Sequence, residues 1–158
     1  ILGKEITASD MLAPGQLVDI IGVTKGKGIE GPVRRWGARI QYRKAQGKRR
    51  HVGAISPWSP RMVMWTALLA GQRGYHRRTE INKLILKVSA TPEGITSSGG
   101  IPNYGVIRSS YVLVKGSVPG AKKRALMMRF SVRPPLVPEP LPDIQSVSTL
   151  SQQGRSRF

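Results

Sequence analysis

The chain has 158 residues, with 26 Lys and Arg against 8 Asp and Glu and a net charge of +18. So one-sided a balance implies an acidic partner: nucleic acid, an anionic membrane or an acidic protein. The absence of cysteine excludes disulfides and thiolate metal sites and fits a reducing compartment.

No apolar run has membrane-spanning length, and no basic amphipathic helix with a broad apolar face is visible, which weakens the membrane reading. No secretory signal is seen. The length suits one domain. A first residue of Ile1 rather than Met leads us to expect that an N-terminal portion is missing.

Residues 1–12 read as a lead-in, with Ser9 and Asp10 as caps or turn formers. Pro14-Gly15 signals a turn. After it, Leu17-Val18-Asp19-Ile20-Ile21-Gly22-Val23 is a β-branched apolar run, expected as a mostly buried strand within 16–24. Gly26-Lys27-Gly28-Ile29-Glu30-Gly31 is literally G-x-G-x-x-G after a strand. A dinucleotide site also needs a helix opening there and an acid about twenty residues on. Pro32, Arg34 and Arg35 follow instead, and no acid appears before Glu80. The better reading is a flexible turn whose backbone can lie close to a phosphodiester, beside Lys25 and Lys27.

The stretch from Gly31 to Thr79 holds no Asp or Glu. It carries Arg34, Arg35, Arg39, Arg43, Lys44, Lys48, Arg49, Arg50, Arg61, Arg73, Arg77 and Arg78, interleaved with Trp36, Tyr42, Trp58, Trp65 and Tyr75. Charge of one sign at this density repels itself, whereas an ordinary solvated face mixes both signs. A polyanion neutralises it, and each cation set on a phosphate releases a condensed counterion. Aromatic rings and guanidinium planes add surfaces for unstacked bases. RNA contact is the leading reading of this stretch.

From Gly31 to His51 no stable period appears, and Gly37 and Gly47 interrupt it, so an arm ordered by its partner is expected. A short helix is expected over Met62–Ala70, with Ser59 as cap, Pro60 in the first turn and Gly71 as the stop. Met62, Trp65 and Leu69 would share one face, with Met62 and Leu69 packing locally and Trp65 open to packing or contact. Gly71–Thr79 is a glycine-punctuated basic loop. Ile81–Val88 is a strand with Leu84, Leu86 and Val88 on one face.

The segment 94–105 is a Gly- and Ser-rich loop. Val106–Val114 and Arg124–Val132 are expected as the two strands of a hairpin, joined through Pro119-Gly120 in a type II turn. Lys115, Lys122, Lys123 and Arg124 beside that turn are further candidate phosphate contacts. Pro134–Pro142 is too rich in proline for helix or central strand and reads as an extended strap. The tail beyond Ser146 carries Arg155 and Arg157.

Catalytic groups are sparse. His51 and His76 each sit beside arginine rather than a carboxylate, and the acids Glu5, Asp10, Asp19, Glu30, Glu80, Glu93, Glu139 and Asp143 show no metal or acid/base spacing. Both histidines are instead candidate RNA contacts, with Tyr75. An enzyme is disfavoured. A free-standing nucleic-acid chaperone or compacting module would share the charge but would not need so long an insertion.

Several ordered strings resemble the ribosomal protein L3 family of the large subunit: Val18–Gly28, Gly31–Gly37, Pro57–Pro60, Gly71–Lys83 and Leu113–Gly120. The resemblance covers roughly Gln16 to Arg133. The Trp36-Gly37, Pro57-Trp58 and Gly74-Tyr75-His76 signatures resemble the archaeal and eukaryotic branch.

What the resemblance implies is a mainly β protein with a translation-protein-type β-barrel core over 1–31 and 80–133. A long basic loop insertion over 32–79 would enter large-subunit rRNA toward the peptidyl-transferase centre, and an extended tail would follow over 134–158. Trp58 matches the tryptophan at the loop tip. The implied partners are large-subunit rRNA and neighbouring ribosomal proteins in the cytoplasmic ribosome, with a part in subunit assembly. Neither membrane nor small-molecule substrate is implied, and no cofactor of its own, since structural Mg2+ or K+ would be held by the rRNA. Geometry is compatible: about 25 extended residues at roughly 3.3 Å each reach at most ~80 Å.

Overall fold

A computed structural model describes residues 2–3, 5–45, 47–137 and 140–151. Pro138, Glu139, Arg155 and Arg157, on which part of the expected strap and tail rests, lie outside them. The protein is mainly β. It divides into two compact units, Ile1–Val23 with Arg77–Phe158, and Thr24–His76.

The first unit contains helix α1 (Ala8–Met11) and strand β1 (Leu17–Val23). α1 is opened by Asp10, whose Oδ2 accepts from the Thr7 backbone N–H at 2.8 Å and the Thr7 hydroxyl at 2.7 Å. The second unit holds β2 (Ile29–Glu30), helix α2 (Pro32–Trp36) and β3 (Gly71–Gln72). The first unit resumes with β4 (Arg77–Ser89), β5 (Tyr111–Val114) and β6 (Met127–Phe130).

β5, β4, β1 and β6 form one antiparallel sheet in that order. β1 runs through its middle, and its β-branched run is buried from Val18 to Gly22. Val18, Ile20 and Ile85 make the core, with Leu12, Val88, Val112 and Val114 packed against them. Full burial of such a side chain stabilises by about 1.5–3 kcal/mol.

Two bulges shape β4. Val18 pairs with Lys83 and Ile20 with Glu80, so Ile81 and Asn82 both face the single residue Asp19. Asn82 is left-handed, φ 56, and its N–H donates to Asp19 Oδ1 at 3.1 Å. Further along, Ile85 pairs with Val114 and Lys87 with Leu113, which leaves Leu86 as an extra residue. This corrects the expected face of Leu84, Leu86 and Val88. Past the bulge the phase flips, Leu84 and Ile85 are both buried, and Ile85 and Val88 share the core side.

The expected hairpin of 106–114 with 124–132 does not form. β5 is confined to Tyr111–Val114 and pairs with β4, while β6 pairs with β1 on the other edge of the sheet. The chain does bend at Pro119-Gly120, where Gly120 has φ +104 and a Cβ would lie 2.8 Å from the Val23 carbonyl oxygen, but the hydrogen-bonded turn is the next one, closed by Arg124 N–H to the Ala121 carbonyl at 3.2 Å. Bend and turn carry the chain across the sheet rather than back along the same strand.

Asp19 is the buried charge of this unit, 1% exposed. Burial pushes its carboxyl up. Backbone N–H groups of Asn82 and Val132 and the Arg129 guanidinium, with Nε 3.2 Å from Oδ2, outweigh burial and hold it below the usual carboxylate value. Phe130 and Met128 pair with Val18 and Ile20, so they continue the core side of the sheet, yet both are exposed.

Candidate nucleic-acid interface

The second unit begins and ends in a short stem. Thr24 N–H donates to the His76 carbonyl at 2.9 Å, and His76 N–H donates to Thr24 Oγ1 at 3.2 Å. Lys27 N–H donates to the Arg73 carbonyl and Arg73 N–H to the Gly28 carbonyl, both at 2.9 Å. β2 and β3 continue the ladder, Ile29 with Gln72 and Glu30 with Gly71. Gly74 makes the close approach feasible. With φ +77, a Cβ there would stand 2.0 Å from the Lys25 carbonyl oxygen, so only glycine fits.

The glycine-rich turn of the sequence is therefore one side of a two-stranded ribbon. A helix does follow it, contrary to the expectation of no regular structure between Gly31 and His51. Pro32 stands in the first turn of α2 and Gly37, φ 70, closes it. Arg34 and Arg35 lie in the last turn, where a cation complements the helix dipole. The helix has only five residues.

Glu30 gathers the cations of the stem. Arg73 grips its carboxylate with both Nε and Nη2, the latter 3.1 Å from Oε1, and Arg34 Nε lies 3.5 Å from the same oxygen. The Arg73 hydrogen bond, helped by the charges of Arg73, Arg34 and Lys27, holds the Glu30 carboxyl below its usual value against the opposing effect of partial burial. Glu30 in turn raises Arg73 above the ordinary arginine value. Next to this clamp, the Leu69 carbonyl accepts from Arg35 Nη1 at 2.9 Å and from the Trp36 indole N–H at 3.0 Å. The Arg35 guanidinium lies 5.0 Å over the Trp36 ring.

Beyond the stem and α2, the described residues up to Ala70 carry no helix or strand. Gln41 N–H donates to the Arg49 carbonyl at 3.0 Å and Ala45 N–H to the Tyr42 carbonyl at 2.9 Å, closing a loop that displays Arg43, Lys44 and Lys48. Arg39 donates from Nη2 to the Tyr42 hydroxyl at 2.7 Å and stacks 5.0 Å over its ring. Arg43, Lys44, Lys48, Arg49, Arg50 and His51 are all exposed. Every residue from 53 to 66 is exposed as well.

The expected helix over Met62–Ala70 is absent. Its apolar face has no surface within the unit to bury against, and an isolated helix of nine residues is too short to hold without one. Met62 and Leu69, expected to pack locally, are exposed. Trp58 is 84% exposed, with the Arg61 guanidinium 5.2 Å from its ring.

The remaining candidates stand differently. Lys25, Lys27 and Tyr75 are exposed, whereas His76 is half-buried in its Thr24 pair. In the sheet unit, Arg77 and Arg78 open β4 as exposed residues, and Lys115 N–H donates to the Leu84 carbonyl at 2.9 Å. Lys122 donates to the Pro102 carbonyl, Arg124 Nη1 donates to the Val23 carbonyl at 2.9 Å, and Lys123 is exposed.

Glu30 and the Leu69 carbonyl had no place in the sequence reading of the site. The Glu30/Arg34 spacing of four residues was the available signal for the first. The second had none, because a backbone acceptor is invisible in a side-chain pattern. The arrangement offers cations, ring faces and hydrogen-bond donors. Among the described residues no group of three or more His, Asp or Glu is placed to hold a metal ion, and no helix is long and apolar enough to cross a membrane.

Comparison with known proteins agrees on one family. Residues 1–154 match the profile of ribosomal protein L3. The chain is 52% identical over 158 residues to large ribosomal subunit protein uL3 of Methanobrevibacter smithii, covering 98% of this chain and 47% of that relative. It is 51% identical over 159 residues to uL3 of Methanocaldococcus jannaschii, with the same shares covered. It is 50% identical over 157 residues to uL3 of Methanopyrus kandleri, covering 98% of this chain and 44% of the relative. The chain thus spans about half the length of the curated relatives it matches.

Proposed function

The chain belongs to the ribosomal protein L3 family, and from that premise we propose that it serves as a structural, non-catalytic constituent of the large ribosomal subunit. In this reading residues 1–31 and 80–133 belong to a translation-protein-type β-barrel that anchors the protein on large-subunit rRNA and against neighbouring ribosomal proteins. Residues 32–79 form the arm that runs through rRNA toward the peptidyl-transferase centre, with Trp58 near its tip. Residues 134–158 form the extended C-terminal tail. The protein acts in the cytoplasmic ribosome, contributes to subunit assembly and carries no cofactor of its own.

One observation carries the reading: an acid-free stretch of exposed cations and aromatics in which, among the described residues beyond the stem, none is buried. Ordering such a segment costs about 1–2 kcal/mol of backbone entropy per residue. Local apolar burial does not offset that here, whereas many phosphate contacts and a few stacked rings do. Sedimentation of a tagged copy from an archaeal host tests the role. The tag should travel with large subunits and stay with them in moderate salt. A free chaperone would remain near the top of the gradient.

A further inference from the structure

The arm carries a second aromatic contact point, at Trp65. Resting on the RNA-binding reading above, we infer that Trp65 stacks on an unpaired nucleobase of the rRNA, as a site separate from Trp58. Three observations carry this. Trp65 is 93% exposed, more than either other tryptophan, so its ring contributes almost nothing to the protein's own packing. Trp36 and Trp58 each have an arginine over one ring face, at 5.0 and 5.2 Å, while no such cation lies over Trp65 among the described residues. Both of its faces are therefore open to a planar partner.

The third observation is chemical. From Met62 to Gln72 the chain bears no charged side chain, although the segment before it, Arg34 to Arg50, is densely cationic. The side chains of Met62 to Trp65 cannot make a charged contact to a phosphate. Theirs is a ring-face or apolar contact, with the exposed Met62, Val63 and Met64 flanking the ring. Large exposed apolar groups in such a cluster mark an interaction surface. Base–aromatic stacking needs no charge and accepts any base, because every base has a π face. Within an arm whose other contacts are to RNA, the matching partner is an unstacked base.

The test is equilibrium binding of the 158-residue chain to deproteinised archaeal large-subunit rRNA across a salt series. Wild type is compared with Trp65→Ala, Trp65→Leu and Trp65→Phe. Stacking predicts that Ala and Leu weaken binding roughly 5- to 150-fold, the range set by one stacked base. Phe should retain most of the affinity, and the slope of log affinity against log salt should not change, because no phosphate contact is lost. If Leu binds as well as Phe, the contact is apolar packing rather than ring stacking, and stacking is overturned. If Ala binds like wild type, the site is overturned outright. Wild type that fails to bind rRNA would instead overturn the functional reading beneath. Since Trp65 buries so little, all three variants should unfold at the wild-type urea midpoint, which keeps folding out of the comparison.

Discussion

Val18 and Trp65 mark the extremes of two regions that obey different physics. Val18 is 0% exposed in a strand whose next four residues are also buried, paired on both sides by β4 and β6. Trp65 lies within the run 53–66, every residue of which is exposed and outside any strand. The first region solves its own energetics: apolar burial, ladder hydrogen bonds and one buried carboxylate held by two N–H groups and a guanidinium. The second has the charge and the rings for contact but lacks a core. Between such extremes lies the stem, where Glu30, Arg73 and the Leu69 carbonyl hold the base of the arm without any hydrophobic cluster.

Substitutions at three places would sharpen that contrast. The largest effect should come from the arm. Replacing Arg43, Lys44, Lys48 and Arg50 by Ala removes four exposed cations without touching the stem. At roughly 0.7 per single-strand phosphate, the salt slope of RNA binding should become shallower by about three. A fourfold rise in salt would then weaken the variant ~50-fold less than wild type. Unchanged salt dependence in a filter-binding series would mean that these cations do not meet phosphates.

A smaller effect, on stability rather than binding, is expected at Asp19. Asp19→Ala leaves the N–H groups of Asn82 and Val132 and the Arg129 guanidinium without their carboxylate. Breaking a buried pair typically costs 3–5 kcal/mol, and the half-exposed guanidinium argues for about 3. Since the folded carboxyl titrates below its unfolded value of about 3.9, its stabilisation is complete above that pH and is lost as pH falls through the lower folded value. Urea midpoints of wild type should therefore decline on acidification below about pH 4, and Asp19→Asn should lose that part of the decline. A wild-type pH profile matching that of Asp19→Asn would show the carboxylate to be inert.

The smallest change should be local. Glu30→Gln removes the charge that Arg73 and Arg34 share, so amides of Gly28, Arg73 and the β2–β3 ribbon should exchange faster while those of β1 and β4 keep their protection. Equal acceleration in both regions would mean that the stem is not an independent element.

The sequence made some of this legible and not the rest, for physical reasons. β1 was readable because a β-branched run after Pro14-Gly15 is a local signal of a central strand. The first residues of β4 were not, because Arg77, Arg78 and Thr79 are exposed and polar yet paired with β1. The bend at Pro119-Gly120 was readable, but not the pairing of the strands around it, since register is decided by distant partners. Capping signals pointed to a helix after Ser59 that lacks anything to pack on. The same kind of signals at Pro32 and Gly37 went unused, because five residues are too few to show a period. For the site, the cations and rings of 31–79 were legible from composition. The stem's clamp was not, because it depends on Glu30 meeting Arg73 across more than forty residues of chain.

Amide hydrogen exchange on the free chain, followed by the same measurement after addition of large-subunit rRNA, is the most direct probe of the difference between sheet and arm. Amides of β1 and β4, and more weakly those of the β2–β3 ribbon, should be protected from the outset, while those of residues 50–68 become protected only with RNA. An arm already protected in the free chain, or still exchanging freely once RNA is bound, would contradict the account.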